Sequence, residues 1–160
     1  MYSIVSDTTT LIILGKLDQY KLLANLFEKI YIPCEVMVEV SQKLDGVYEK
    51  IVSHSLFEEK SISNTQLLGY LEEILDKGES QAIVLAKELK LILLIDEKKG
   101  RMIAKNMGLE IIGLLGVLIL NVKKEYIYKE EAIEILEQIK KLKFRVSSKL
   151  EKHFLEMIEK

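Results

Sequence analysis

The sequence predicts an α/β domain in which a parallel β-sheet is flanked by α-helices, and three observations carry that reading. Short β-rich apolar runs alternate with longer segments of helical spacing, as crossover connections between parallel strands require. Leu91–Ile95 is five consecutive aliphatic residues, the mark of a strand buried on both faces. Pro33 is the only proline in 160 residues, and no Gly/Ser-rich linker, low-complexity run or internal repeat interrupts the chain, so 1–160 reads as a single domain.

In chain order, Tyr2–Ser6 reads as the first strand. Thr9–Lys29 reads as one broken helix or two, followed by a short strand at Ile30–Ile32 that Pro33 closes. Cys34–Leu44 places Val36, Met37, Val40 and Leu44 on one helical face. Val47–Thr65 is less regular, and a short strand is expected around Ile51–Val52. Leu67–Leu75 and Glu79–Leu89 read as helices, the second burying Ala82, Ile83, Leu85, Ala86 and Leu89. After the aliphatic strand come helices at Lys98–Met107 and Leu114–Lys124, flanking a short strand at Glu110–Ile112. Glu130–Leu142 and Ser148–Glu159 are amphipathic, the last with Leu150, Phe154, Met157 and Ile158 on one stripe.

At 49% hydrophobic residues the chain can bury a substantial core, and a net charge of -2 excludes nucleic-acid binding by bulk charge alone. The charge is unevenly placed: residues 1–97 carry 9 basic and 16 acidic groups, and residues 98–160 carry 14 and 9. That pattern fits either two solvated faces or an acidic site beside a basic rim. One cysteine, Cys34, rules out an intrachain disulfide, and with only His54 and His153 there is no Cys/His zinc cluster. A reducing, cytoplasmic setting is expected. Met1–Asp7 lacks the basic region and cleavage site of a secretory signal. Ile111–Leu120, the most apolar stretch, falls short of the roughly 18–20 residues that cross a bilayer and is expected in the core, with no membrane partner.

Four carboxylates fall at informative places. Asp7 ends the first strand and Asp96 ends the aliphatic one, so both belong at the carboxyl ends of parallel strands, where ligands of open α/β sheets bind. Glu79 opens the helix leading into the second of these strands, and Glu39 lies in the helix after Pro33. Acids converging on one crevice repel unless a hard divalent cation sits among them, which suits magnesium or manganese. Each also has a plainer reading. Asp7 and Asp96 fit N-caps, Asp76 with Glu79 has the spacing of a capping box, and Glu39 fits an exposed helical glutamate.

The ordered set Ile4-Val5-Ser6-Asp7-Thr8-Thr9, Val36-Met37-Val38-Glu39, Gly78-Glu79-Ser80-Gln81-Ala82-Ile83 and Leu94-Ile95-Asp96-Glu97-Lys98-Lys99-Gly100-Arg101 resembles the PIN-domain superfamily. With Gly113-Leu114-Leu115-Gly116-Val117-Leu118 and Phe144-Arg145-Val146-Ser147 it is most similar to a prokaryotic branch related to VapC toxins. The resemblance implies a single PIN-like domain and a metal-dependent ribonuclease, the toxin-like half of a toxin–antitoxin pair. It makes Asp7, Glu39, Glu79 and Asp96 the catalytic acids, as direct magnesium or manganese ligands or through water, with Thr8 orienting the site. Phosphodiester hydrolysis by an activated water would need no nucleophilic side chain. RNA is the implied substrate, with a small antitoxin and a second copy of the chain as candidate protein partners. Two departures stand out: Glu79 occupies a position where many PIN domains have Asp, and Asp96 is followed by Glu97 and a Lys-Lys-Gly-Arg run.

Lys98, Lys99 and Arg101 follow Asp96 closely enough to contact an RNA backbone, although basic residues in a first helical turn oppose the macrodipole and are more often a solvated face. Tyr126 and Tyr128 fit packing better than base stacking. Other α/β chemistries lack their residues: Thr9 stands where a haloacid-dehalogenase-type phosphatase needs Asp, a receiver domain's paired acids are missing, and no G-x-G-x-x-G follows the first strand. The alternative from another class is a catalytically inactive PIN-like module that binds RNA or protein.

Overall fold

Ile4 and Val5 show why helices cover both faces of the sheet. Neighbouring residues of a strand point to opposite sides, and both are completely buried, Ile4 in one apolar core and Val5 in another. The computed structural model, which describes all 160 residues, places their strand β1 (Tyr2–Ser6) at the centre of a five-stranded, all-parallel sheet. Its order is β3-β2-β1-β4-β5, with β2 at Phe27–Pro33, β3 at Phe57–Lys60, β4 at Ile92–Leu94 and β5 at Ile111–Ile112.

Three helices, α5 (Thr65–Leu71), α6 (Lys77–Leu89) and α7 (Lys98–Asn106), bury the smaller core against Val5, Leu93 and Ile95. The larger core lies on the other face, over Ile4 and Leu94. It is covered by α1 (Thr8–Lys16), α2 (Lys21–Ala24), α3 (Cys34–Ser41), α4 (Val47–Val52), α8 (Leu114–Lys123), α9 (Lys129–Lys141) and α10 (Ser148–Glu159). Leu114, Leu115, Val117 and Leu118 of the apolar stretch are core residues, and no helix is long and apolar enough to cross a membrane. Phe154, fully buried, pins α10 to this core. Phe154→Ala should therefore cost about 3–5 kcal/mol, seen as a lower urea midpoint at unchanged slope.

The chain runs outward from β1 through β2 to β3, then returns through α5 and α6 to enter β4 on the other side of β1. That reversal makes β1/β4 the switch point, where the carboxyl ends of adjacent strands diverge and leave a crevice. The β1–β4 ladder pairs Ser6 with Leu94, and the Asp7 N–H continues it by donating to the Leu94 carbonyl at 2.9 Å. Asp7 and Asp96 consequently leave the sheet side by side.

Local expectations fail where tertiary context overrides pattern. Ile51–Val52 is not a strand but the last turn of α4, with Ile51 in the core and Val52 exposed. The strand of that region is β3, whose Phe-Glu-Glu-Lys sequence is mostly exposed because it is an edge strand, and charged side chains are what protect edges. Thr9–Lys29 holds two helices, α1 and α2, parted where Asp18 turns the chain at φ 52, but the helical reading runs too far because β2 already begins at Phe27. Leu44 lies beyond the end of α3 and is fully exposed, and Leu150 is on the solvent side of the last helix's stripe.

Candidate active site

Asp7 occupies the N-cap position of α1, yet its side chain makes no capping hydrogen bond. It is 6% exposed, and its Oδ1 has no partner. Burial pushes its carboxyl up to about 7; the Asp76, Glu39 and Asp96 carboxylates add to the rise, and the Thr8 N–H dipole opposes it.

Glu79 enters from the first turn of α6 with two roles. The capping box is present: the Glu79 N–H donates to Asp76 Oδ1 at 2.7 Å, and Glu79 Oε1 accepts from the Asp76 N–H at 3.4 Å. The other oxygen, Oε2, is buried without a partner. Burial pushes Glu79 up to about 8, with Glu97, Asp76 and Asp7 acting in the same direction.

The other two acids are braced. Glu39 on α3 accepts a hydrogen bond from the Thr8 hydroxyl at 3.1 Å, which ties its carboxylate to the first residue of α1. Asp96 has both oxygens engaged: Oδ2 accepts from the Thr10 hydroxyl at 2.8 Å, and Oδ1 from the Leu114 N–H at 3.0 Å. Asp96 thus ties β4 to the first turns of α1 and α8. Its carboxyl is raised by burial and lowered by Leu114, Thr10 and the Arg101 charge. The plainer reading of Asp96 as the cap of α7 is corrected: Glu97 holds that position, its Oε2 accepting from the Gly100 N–H at 2.8 Å.

Two acids of this crevice, Asp76 and Glu97, were not among the expected site residues. Asp76 was visible only as the capping partner of Glu79, and Glu97 only as a departure beside Asp96. Of the expected RNA contacts, Lys98 and Lys99 are exposed on the first turn of α7. Arg101 instead turns inward, donating from Nη1 to the Ile95 carbonyl at 2.7 Å. Tyr126 and Tyr128 are exposed rather than packed. They lie past the far end of α8, about 15 Å of helix away from the Asp96 contact. A cavity of about 330 Å³ adjoins the acids, lined by Glu39, Asp76, Val38, Gln42 and Lys77 among others.

A family model for the PIN domain matches residues 3–160. The chain belongs to the PIN-domain family. No curated protein matches it. PIN domains are generally nucleases that act on nucleic acid and typically use divalent metals. The residues of this PIN domain fit such an ion on their own chemistry. The donors are all carboxylate oxygens, as magnesium and manganese prefer, and the two orphaned buried oxygens on Asp7 and Glu79 lack the partner a cation would be. No three potential ligands gather closely enough to enclose an ion by themselves.

Gly78 lets α3 and α6 approach at this PIN site: a Cβ there would stand 2.9 Å from Glu39 Oε1. Gly78→Ala should leave stability within about 1 kcal/mol, since helix propensity favours Ala. It should displace the Glu39 carboxylate and so lengthen its contact with the Thr8 hydroxyl, as a melting curve beside a structure of the variant would read.

Proposed function

We propose that this PIN domain hydrolyses RNA phosphodiester bonds with a magnesium or manganese ion held at Asp7 and Glu79. The supporting observation is that these two buried carboxylates each keep one oxygen unpartnered at the β1/β4 switch point. When bound, the ion supplies Lewis acidity, making water nucleophilic at neutral pH and offsetting charge on the phosphoryl oxygens. The protein's own residues do the rest. Asp7 and Glu79 bind; Glu39 and Asp96, braced by Thr8, Thr10 and the Leu114 N–H, act as outer ligands. Lys98 and Lys99 meet the RNA backbone beside the acids, supplying position rather than sequence reading.

The attacking oxygen would be that of water and not the ribose 2′-hydroxyl, so the products should carry no 2′,3′-cyclic phosphate. The test is cleavage of end-labelled single-stranded RNA in magnesium, manganese or EDTA, with analysis of the new ends. Cation-dependent cleavage without cyclic ends is expected. Cleavage that persists in EDTA contradicts the proposal, and an inert protein favours the binding-module alternative. The toxin-like role rests on the sequence resemblance to the VapC-related branch alone. Expression alone should arrest growth, and co-expression with the product of an adjoining reading frame should relieve it through a co-purifying complex.

A further inference from the structure

Arg101 is the fourth residue of α7, where a cation opposes the positive end of the helix dipole. Something else must favour its position, and two contacts identify it. The Nη1 group donates to the Ile95 carbonyl at the end of β4. A Cβ on Gly113 would stand 2.9 Å from Arg101 Nη1 and 2.8 Å from Asp96 Oδ1, so guanidinium and carboxylate converge on one point that only glycine leaves free.

We propose that Arg101 is an internal counter-cation of the acidic rim: a positioning residue that holds the metal-free crevice together and weakens its grip on the divalent ion, and not an RNA contact. The proposal rests on the metal-dependent reading above. At the switch point Asp7 and Glu79 are buried with Glu39, Asp76 and Asp96 close by, and repulsion among these carboxylates disfavours the folded state when no ion is bound. Lys77, Lys98 and Lys99 are exposed and screened by solvent. Arg101 is half-buried, with Nη1 fixed against a backbone carbonyl and facing the same point as Asp96 Oδ1, so solvent screens its charge less than it screens the lysines. A fixed positive charge there relieves the carboxylates and repels an incoming divalent ion. Both effects have the sign that lets the ion exchange without the site collapsing.

The experiment compares wild type, Arg101→Gln and Arg101→Lys by manganese calorimetry, by melting with and without manganese, and by RNA cleavage kinetics at several salt concentrations. Arg101→Gln should bind manganese about tenfold more tightly, as loss of a neighbouring positive charge implies. It should melt lower without the ion and approach wild type at saturating manganese. Its KM for RNA and the salt dependence of KM should be unchanged. Arg101→Lys, which keeps the charge, should have a manganese Kd near that of wild type. Unchanged or weaker manganese binding in Arg101→Gln would overturn the proposal. So would a raised KM with a flatter salt dependence, the signature of a phosphate contact. A wild type that neither binds manganese nor cleaves RNA overturns the functional reading itself and this proposal with it; a wild type that does both, with Arg101→Gln binding more loosely, overturns this proposal alone.

Discussion

Asp7→Asn should abolish RNA cleavage, by about 10²–10³-fold or more, while making the metal-free protein more stable at pH 8. The two effects part because the carboxylate that binds the ion is costly to bury without it. Asp7 is pushed up to about 7 and Glu79 up to about 8, both above their unfolded values. Between about pH 4 and pH 8 the native state therefore holds protons that the unfolded chain has released. Stability of the metal-free protein accordingly falls as pH rises through that window and levels off above it. Asn has no proton to lose, so Asp7→Asn should gain about 4 kcal/mol over wild type at pH 8 and almost nothing at pH 4. Urea denaturation at the two pH values in EDTA, beside initial cleavage rates, reads both halves. A variant that is less stable than wild type at pH 8 would make Asp7 a structural residue of α1.

Glu79 should separate its two roles under two substitutions. Glu79→Gln keeps an oxygen to accept from the Asp76 N–H, so the capping box survives, but it removes the charge that binds the ion. Cleavage should fall about 10²-fold, with metal-free stability unchanged or raised. Glu79→Asp keeps the charge and shortens the reach by one methylene, so it should retain part of the activity while losing some of the capping contact, a cost of about 1 kcal/mol. Glu79→Gln with wild-type activity would reduce Glu79 to the cap of α6.

How much of this could be read from the sequence depends on which interactions are local. Leu91–Ile95 announced a doubly buried strand because an unbroken aliphatic run of that length has few other uses, and the acids after β1 and β4 followed from where those strands end. The Asp76–Glu79 capping box was legible from its spacing and is present. Edge strand β3 was not, because its charged residues answer to solvent rather than to a core. Asp18 adopts a left-handed turn that glycine or asparagine usually marks, so the break expected within Thr9–Lys29 had no local signal of its position. Bracing of Asp96 by Thr10 and Leu114, and the inward turn of Arg101, join residues far apart in the chain. Spacing within one segment carries no information about such contacts.

Manganese titration by calorimetry, in wild type and in an Asp7→Asn/Glu79→Gln double variant, tests most directly whether the two orphaned carboxylates hold the ion. Wild type should bind with an affinity that weakens as pH falls from 8 to 6, since protons compete for the same oxygens. The double variant should show no binding over the same concentration range while remaining folded. Undiminished binding in the double variant would contradict the account.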